Sequence, residues 1–497
     1  MDYVSTRNNE KKVSSAYAIA TGIAPDGGLY CPSRFPTLTQ NDWDTLLQSD
    51  YKGRATLILS KFLTDFSVEE LKGFTEKAYA PERWGGTDTA PVVSLPGGRH
   101  ILELWHGPTC AFKDMALQML PHLLTASLKK IGETRTACIL VATSGDTGTA
   151  ALNGFADVPG TKIMVYYPVH GVSPMQKLQM VTQEGKNVSV CAVNGNFDDA
   201  QSALKRIFTD KATIEKLSSQ GMMLSSANSI NWGRLAPQIA YYISAYCDLT
   251  SRGEVKFGDP VNICVPTGNF GNILAAYIAK QMGLPVHKFI CASNKNNVLT
   301  DFFKKGGTYD KNRPFYTTTS PSMDILISSN LERLLYYVSG QNDEAVRNLM
   351  AQLAKDGKYT IPQPMRDTLD AQFDAGSCDD ADTAATIRRL YETEKYLCDT
   401  HTAVAVTVYE DYRARTGDET PTVIASTASP FKFCKSVAEA LGGTVKIEDV
   451  TQLEILHGLT GQLPPAPLAA LKGKQPRFDR VVEKKDILST TDLLAEL

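Results

Sequence analysis

Short apolar runs alternate with helix-period segments through most of the chain after residue 95, and this alternation constrains the fold more than any other feature. ACILVAT precedes TGTAALNGFA, KIMVYYPV precedes SPMQKLQMVTQEG, and VNICVPT precedes GNILAAYIAKQMG. Apolar runs of about four to eight residues between turn residues are typical of strands buried on both faces. Strands that alternate with helices pair in parallel, because each helix carries the chain back along the sheet. The sequence therefore predicts a doubly wound α/β fold with mostly parallel sheets.

The predicted organisation has a small N-terminal domain over residues 1–95 and a catalytic core over 96–497. Segments such as DWDTLLQSDY and SVEELKGFTEKAYA give the first part a mainly helical character, and the turn-rich GGTDTAPVVSLPGGR ends it. Within the core we expect a smaller lobe over about 100–240 and a larger lobe over about 241–497. The stretch from about 310 to 400 is acidic in its middle, which predicts a solvated helical insertion.

Composition argues against several classes of function. The 51 Lys and Arg nearly balance the 54 Asp and Glu, so no general positive field favours nucleic acid or anionic lipid. No apolar run reaches the ~18 residues that cross a bilayer. The ten cysteines form no C-x-x-C pair, so no metal site is expected, and those in apolar runs predict buried free thiols of a reducing compartment. With a polar start that lacks a signal-peptide core, the chain is predicted to be cytoplasmic.

The ends of the predicted strands carry the candidate ligand-binding residues, because open α/β sheets bind ligands beyond the carboxyl ends of their strands. After ACILVA comes TSGDTG, where Ser144, Asp146 and Thr147 place polar groups beside the free N–H groups of a helix start. Such a site suits an anion, for example an amino-acid carboxylate. A plain capping turn is the alternative interpretation.

A second candidate follows NICVPT and consists of Gly268, Asn269, Phe270, Gly271 and Asn272. Glycines let the backbone approach a phosphate closely, and successive N–H groups form an anion cradle. The segment matches neither the nucleotide-triphosphate loop nor the dinucleotide fingerprint. A tight strand-to-helix turn is the alternative.

Three further segments carry candidate groups. Lys113 in HGPTCAFKD follows an apolar stretch, and partial burial would lower its pKa and make its amine nucleophilic toward an aldehyde; a surface lysine is the alternative. NSINWGR holds two amides, a hydroxyl and Arg234, which can bind a phosphate dianion; a capped helix start with a surface arginine is the alternative. The hydroxyl of Thr427 follows the apolar run TVIAS and can reach a cofactor ring.

Together these segments resemble the threonine synthases, which are pyridoxal-phosphate (PLP) enzymes related to the tryptophan synthase β-subunit. HGPTCAFKD resembles the cofactor-lysine segment of that family, and TSGDTG resembles its substrate-carboxylate loop. NSINWGR, TGNFGN, SPSMDILISSNLERLLY and the opening STRNNEKKVSSAYAIATGIAPDGGLY also resemble the family, in the same order. The resemblance implies two PLP-enzyme lobes preceded by a small N-terminal domain.

The resemblance also implies an activity: O-phosphohomoserine and water would give L-threonine and phosphate, with PLP as the cofactor. Lys113 would carry PLP covalently, residues 268–272 would cradle its phosphate, and Thr427 would hydrogen-bond the pyridine nitrogen. The residues implied for the substrate are Ser144, Asp146 and Thr147 around its carboxylate and the phenolic oxygen of PLP, and Asn228, Ser229 and Arg234 around its phosphate. Many relatives read T-A-H-P where this chain has Thr427-Ala428-Ser429-Pro430, so no role of that histidine is carried over.

Two alternatives to this activity stand beside it. A threonine or serine dehydratase on the same fold is the closer one, and the phosphate-binding character of NSINWGR argues against it. A catalytically silent homologue is the other, and an intact Lys113 with a full cradle argues against that. We expect a monomer, with a homodimer as the alternative, and no nucleic-acid or membrane partner.

Overall fold

The N-terminal region is a small unit built from one three-stranded antiparallel sheet and several helices. The computed structural model describes residues 1–86, 88–195, 197–446 and 449–497. The elements of this unit are β1 (Tyr3–Ser5), β2 (Asn8–Val13), α1 (Ser15–Thr21), β3 (Tyr30–Pro32), α2 (Gln40–Gln48), α3 (Tyr51–Phe62) and α4 (Val68–Ala78). Thr39, Asp50 and Ser67 cap α2, α3 and α4 by accepting a backbone N–H, which explains where these helices begin.

The remaining chain forms the catalytic core, in which strands and helices alternate. Its first half contains β4 (Val92–Leu95), β5 (Arg99–Glu103), α5 (Asp114–Leu117), α6 (Leu120–Lys130), β6 (Thr136–Ala142), α7 (Asp146–Phe155), β7 (Thr161–Pro168), α8 (Pro174–Val181), β8 (Val188–Asn194), α9 (Phe197–Thr209), α10 (Lys211–Ser219), β9 (Met222–Ser225) and α11 (Trp232–Ser251). Its second half contains β10 (Val261–Pro266), α12 (Gly271–Gln281), β11 (Val286–Ser293), α13 (Val298–Lys304), β12 (Thr308–Asp310), α14 (Leu331–Val338), α15 (Asp343–Asp356), β13 (Lys358–Thr360), α16 (Gln363–Gln372), β14 (Phe373–Ser377), α17 (Asp380–Glu394), α18 (Thr400–Thr416), β15 (Thr422–Ser426), α19 (Cys434–Ala440), α20 (Gln452–Thr460), α21 (Ala466–Ala469), β16 (Val481–Glu483) and α22 (Leu493–Glu496).

Two sheets organise the core. The first has the order β16-β8-β7-β6-β9 and is parallel throughout. The second has the order β14-β11-β10-β15-β5-β4 and is parallel except for β4, which pairs antiparallel with β5. The predicted α/β class with mostly parallel sheets is therefore confirmed.

Both faces of each sheet are buried, as the continuous apolar runs predict. In β10, Ile263 and Val265 pack into one hydrophobic core, while Cys264 between them packs into another. In β6, Ile139 and Leu140 divide in the same way between two cores. Successive side chains of a strand point to opposite faces, so each sheet is covered on both sides. Among the residues that the structure describes, no helix has the length and apolar character needed to cross a bilayer.

Three boundaries differ from the sequence-based expectation. β4 lies within residues 1–95, the predicted N-terminal domain, but it pairs with β5 in the second sheet. β5 lies at the predicted start of the smaller lobe, about residue 100, but it also belongs to the second sheet, where it pairs with β15. β16 pairs with β8 in the first sheet, so residues 481–483 of the predicted larger lobe return to the other lobe. The predicted helical insertion, 310–400, also contains β13 and β14, and β14 is an edge strand of the second sheet. Sheet membership is set by long-range pairing, which a local pattern does not record.

The N-terminal unit is fixed to the core through buried polar contacts of α14. Arg333 is fully buried and donates to the carbonyl oxygens of Tyr30 at 2.8 Å and Ile230 at 2.6 Å. Its neighbour Glu332 accepts from Arg7 at 2.7 Å. A fully buried guanidinium bonded to two carbonyls holds both segments firmly in place. Arg333 therefore links the N-terminal unit to the turn that precedes α11.

Candidate active site

The ends of β5, β6, β10 and β15 bring the predicted site residues together. Lys113 follows β5, and its Nζ lies 3.7 Å from an oxygen of Asp146, which begins α7 after β6. Phe112 donates its backbone N–H to the carbonyl of Thr427 at 2.8 Å, directly after β15. The hydroxyl of Ser322 lies 3.4 Å from Lys113 Nζ, and the carbonyl of Ser322 lies against Gly268, after β10. Segments that are far apart in sequence and follow four different strands thus meet around the segment of Lys113.

Lys113 has the environment of a reactive lysine. Only 12% of its side chain is exposed, so the surface-lysine alternative is wrong. Burial lowers the pKa of its ammonium to about 8; Asp146 opposes that shift, and the positive charge of Arg234 adds to it. A lower pKa leaves more of the amine uncharged near neutral pH, and the uncharged amine is the form that attacks an aldehyde.

The turn TSGDTG is capped by a residue that the sequence analysis did not single out. Thr143 Oγ1 accepts the N–H groups of Gly145 and Gly148, each at 2.9 Å. Gly145 itself has a φ of 136°, and a Cβ there would collide with the side chain of Gln176. Because Thr143 does the capping, the side chain of Asp146 remains available to the site.

Asp146 is a buried carboxylate with cations on two sides. Its Oδ1 lies 2.6 Å from Lys432 Nζ and accepts from Gln176 at 2.9 Å, while its Oδ2 faces Lys113. Burial alone would raise the pKa of Asp146, but Lys432 and Lys113 hold it well below its usual value. The group is therefore ionised at neutral pH.

Residues 268–272 have the features of a phosphate cradle. Phe270, the residue before α12, adopts a left-handed φ of 66°, and the first N–H groups of a helix have no acceptor within it. The side-chain nitrogen of Asn272 is buried without a hydrogen-bond partner among the described residues, while its oxygen accepts from Tyr242. A buried donor without an acceptor is costly unless a ligand supplies one. The segment therefore fits an anion such as the phosphate of a cofactor.

Gly268 permits this close approach, and replacing it is expected to damage the cradle. A Cβ on Gly268 would lie 2.5 Å from the backbone oxygen of Ser322, so Gly268→Ala must move one of the two segments. We expect PLP affinity to fall at least about tenfold, corresponding to roughly 1.4 kcal/mol. Gly73→Ala is the control, since a Cβ there meets nothing within 4 Å and alanine favours α4. Equilibrium titration with PLP measures both variants, and equal affinities would contradict the cradle.

The segment NSINWGR is divided between a helix cap and a buried cation. Asn231 caps α11, accepting from Gly233 at 2.8 Å and donating to Ile19 O at 2.9 Å, so one of the two predicted phosphate amides is used structurally. Arg234 is buried, which excludes the surface-arginine alternative. It donates to Ala227 O at 2.8 Å and approaches Thr147 Oγ1 at 3.4 Å.

Arg234 has no anionic partner in the described part of the chain. Burial lowers the pKa of its guanidinium to about 10, and no carboxylate compensates for that shift. A guanidinium carries five N–H donors, and two protein acceptors leave most of them unused. A buried, unbalanced cation is unfavourable unless an anion binds to it. Since Arg234 touches Thr147, this anion site adjoins the TSGDTG turn.

The remaining predicted residues lie in the turn before α11, in the turn before α7 and directly after β15. Asn228 and Ser229 are half-buried in the turn before α11, where their carbonyls accept from Asn231 at 3.1 Å and from Asn330 at 3.2 Å. Ser144 is half-buried between Thr143 and the start of α7, and Thr427 is buried beside the Lys113 segment. Their contacts with substrate or cofactor stay predictions.

Sequence reasoning missed the supports of this site. Ser322 lies in the turn Pro321–Met323, and its backbone N–H donates to Nε2 of the buried His401 at 3.1 Å. The other ring nitrogen of His401, Nδ1, lies 2.7 Å from Asp399, so the ring is held between that carboxylate and the N–H of Ser322. Lys432 is fully buried beside Asp146. Ser429, at the position of the histidine in many relatives, caps the turn Pro430–Lys432.

Comparison with known proteins agrees with this geometry. Family models described as "Threonine synthase N terminus", "Pyridoxal-phosphate dependent enzyme" and "Threonine synthase, C-terminal" match residues 2–79, 91–428 and 402–490. "Threonine synthase-like 1" of Homo sapiens is 41% identical over 492 residues, covering 95% of this chain and 65% of the human protein. The chain thus spans about two thirds of the length of that relative.

Two further relatives are covered along most of their length. "Threonine synthase" of Saccharomyces cerevisiae is 36% identical over 472 residues, covering 89% of each chain. The crystal structure of PLP-bound threonine synthase from Brucella melitensis superposes with a TM-score of 0.87 at 35% identity and full coverage of both chains. From these matches, together with the buried Lys113 and the turn at residues 268–272, the chain is assigned to the threonine synthase family of pyridoxal-phosphate-dependent enzymes, with pyridoxal phosphate as its cofactor.

Proposed function

We propose that the chain converts O-phosphohomoserine and water to L-threonine and phosphate. The observation that carries this proposal is Arg234, a buried guanidinium without an anionic partner in the described residues and not one of the residues, 268–272, that would cradle the cofactor phosphate. PLP has one phosphate group, which the cradle would bind. A second anion site next to Thr147 is what a phosphorylated substrate requires.

The residues present fit PLP at three points. Residues 268–272 would hold its phosphate, Lys113 would bind its aldehyde carbon, and the hydroxyl of Thr427 would face its pyridine nitrogen. When bound, PLP supplies an electron-withdrawing ring that stabilises negative charge at the substrate Cα. A threonine hydroxyl does not force protonation of the ring nitrogen as an aspartate would, so the ring is a milder electron sink.

The chain's own side chains provide the other requirements of the reaction. The amine of Lys113 would take the proton from Cα of the substrate and then move a proton from Cβ to Cγ as the Cγ–O bond to phosphate breaks. Water would add its hydroxyl at Cβ, its remaining proton would leave with the phosphate, and the proton taken from Cα would return there. Arg234, Asn228 and Ser229 would hold the departing phosphate. Ser144, Thr147 and the N–H groups that open α7 would orient the substrate carboxylate, while Asp146, already paired with Lys432, faces the lysine.

A threonine or serine dehydratase is the second candidate, because the same lysine and cradle serve it. Its substrates carry no phosphate, so the buried Arg234 would have no use in it. Phosphate release from O-phosphohomoserine, compared with ammonia release from serine and threonine, separates the two functions. Preference for O-phosphohomoserine supports the proposal, and preference for serine or threonine contradicts it.

Removal of the Thr427 hydroxyl is expected to weaken cofactor binding modestly. Thr427→Val keeps the shape of the buried side chain and removes one hydrogen bond, which typically contributes about 0.5–1.5 kcal/mol, or roughly two- to twelvefold in PLP affinity. Thr427→Asp should protonate the ring and raise the share of side products. Thr422→Val, at the other end of β15, removes a hydroxyl bonded to Thr420 O and serves as the control. If Thr427→Val and the control bind PLP alike and Thr427→Asp keeps the wild-type product ratio, Thr427 does not contact the ring.

We further propose a cytoplasmic location and a monomer, with a homodimer as the alternative. The ten cysteines are free thiols and buried, which is typical of a reducing compartment. Separation by size with light scattering measures the mass of the assembly directly.

A further inference from the structure

Lys432 is a fully buried charge of the site. It ends the short turn Pro430–Lys432 after β15, has no exposed surface, and donates to the carbonyl of Thr109 at 2.9 Å. Its Nζ also lies 2.6 Å from Asp146 Oδ1. An ammonium without access to water is stable only where a carboxylate balances it, so Lys432 and Asp146 form a buried ion pair.

Asp146 therefore stands between two lysines. Its second oxygen lies 3.7 Å from Lys113 Nζ, compared with 2.6 Å between its first oxygen and Lys432 Nζ. One carboxylate balances the charge of one ammonium, and Asp146 interacts more strongly with Lys432, which is closer and fully buried. The amine of Lys113 is left without an anion of its own beside it, while Arg234 adds a further positive charge nearby.

We propose that Lys432 is a positioning residue that takes the charge of Asp146 and thereby increases the uncharged fraction of the amine of Lys113. The inference rests on the role of Lys113 as the cofactor lysine in the proposed function and does not depend on the proposed substrate. Burial lowers the pKa of Lys113, Asp146 opposes this, and the charges of Arg234 and Lys432 add to the lowering. Removing Lys432 should leave Asp146 free to favour the ammonium of Lys113, so the pKa of Lys113 should rise.

Other groups around the two lysines do not replace Lys432. The titratable and charged groups that face this cluster are Cys110, Asp114 and Asp146, Arg234 in α11, and His401, which acts through Ser322. Asp114 accepts from the N–H and the hydroxyl of Thr109, and burial raises its pKa to about 6. Cys110, whose thiol pKa burial raises to about 12, adds no cation, and His401 pairs with its own carboxylate, Asp399, rather than with Asp146. Among the cations of the described residues, Lys432 alone contacts the Asp146 oxygen that points away from Lys113, and Gln176, which also donates to this oxygen, carries no charge.

The test is the pH dependence of cofactor uptake by the full chain freed of PLP. The rate at which the visible absorbance appears after mixing with PLP follows the uncharged fraction of the Lys113 amine and requires no substrate. In wild type this rate should rise with pH through a midpoint near the pKa of Lys113, about 8. In Lys432→Met, which keeps the length of the side chain, the midpoint should rise by about one pH unit or more, and the rate at neutral pH should fall about tenfold.

Two controls separate charge from structure. Lys61→Met breaks a Lys–Asp pair of similar length, 2.7 Å to Asp42, in the N-terminal unit and should leave the midpoint unchanged. A merely structural role of Lys432 would slow uptake by the same factor at every pH. An unshifted midpoint in folded Lys432→Met therefore overturns the proposal. Because uptake involves no substrate, this result is independent of whether O-phosphohomoserine is turned over.

A second pair of variants covers the case in which Lys432→Met does not fold. Asp146→Asn removes the anion and should lower the midpoint, and adding Lys432→Met to it leaves two neutral side chains, which a buried site accommodates. The double variant should keep a midpoint near that of wild type, because a neutral pair and a compensated ion pair leave the same net charge beside the amine of Lys113. A midpoint of the double variant about one pH unit or more below that of wild type would mean that Asp146 still stabilises the ammonium of Lys113 in the presence of Lys432, and it overturns the proposal.

Discussion

Lys113→Ala is expected to abolish turnover of O-phosphohomoserine and the covalent retention of PLP together. The amine lies where the TSGDTG turn, the segment of Ser322 and the Thr427 segment meet, and it faces the carboxylate of Asp146. Loss of a general acid–base group alone typically costs about 10²–10⁴-fold in rate. Here the same group also fixes the cofactor, so the loss should reach at least the upper end of that range.

The measurement is borohydride reduction of the PLP-loaded chain followed by peptide mapping. Reduction makes the lysine–cofactor bond permanent, and the pyridoxyl group should map to the peptide with Lys113. Lys432 is a second buried lysine around the same carboxylate, so mapping distinguishes the two directly. A pyridoxyl group on Lys432, or on any lysine other than Lys113, would falsify the assignment.

Arg234→Ala is expected to cause a severe loss that is selective for the phosphorylated substrate. The substrate phosphate carries nearly two negative charges at neutral pH, and a guanidinium can hold it through paired, charge-assisted hydrogen bonds. Losing such a contact typically costs about 1.5–3 kcal/mol, or roughly ten- to 150-fold in kcat/KM. Arg234→Lys keeps the charge without the forked donors and should be an intermediate defect.

Selectivity is what makes the Arg234 prediction decisive. PLP occupancy should stay at the wild-type level, because the cofactor phosphate is expected at residues 268–272 rather than at Arg234, and any reaction with serine should be unchanged. Arg99→Ala is a matched control: Arg99 is also buried, but it pairs with Glu394 at 2.7 Å, and it lies at the start of β5, away from the strand ends that carry the site. It should lower the thermal unfolding temperature without altering the preference between substrates. Equal losses for O-phosphohomoserine and serine in Arg234→Ala would mean that the residue is structural, since it also supports the carbonyl of Ala227.

Local patterns in the sequence were sufficient for the fold class and for selecting the candidate residues that the structure brings together. Continuous apolar runs such as VNICVPT are buried on both faces, and the residues that follow strands carry the binding groups, because parallel strands end at one edge of a sheet. The turn of Asp146 and the segments of Phe270 and Thr427 were selected in this way, Lys113 was selected because it follows an apolar stretch, and the structure brings all four segments together. These features depend on residues close in sequence, so a linear pattern records them.

Only the tertiary structure decided how the polar groups are used. Asn231 and Arg234 stand three residues apart, yet one caps α11 while the other is a buried cation without an anionic partner in the described residues. Lys432 resembles any lysine after a proline turn until the end of β15 places it 2.6 Å from Asp146. The pairing of β16 with β8 in the first sheet likewise depends on residues far apart in sequence. Burial and charge pairing depend on which distant segments meet, and that is settled by the packing of the whole chain rather than by any local preference.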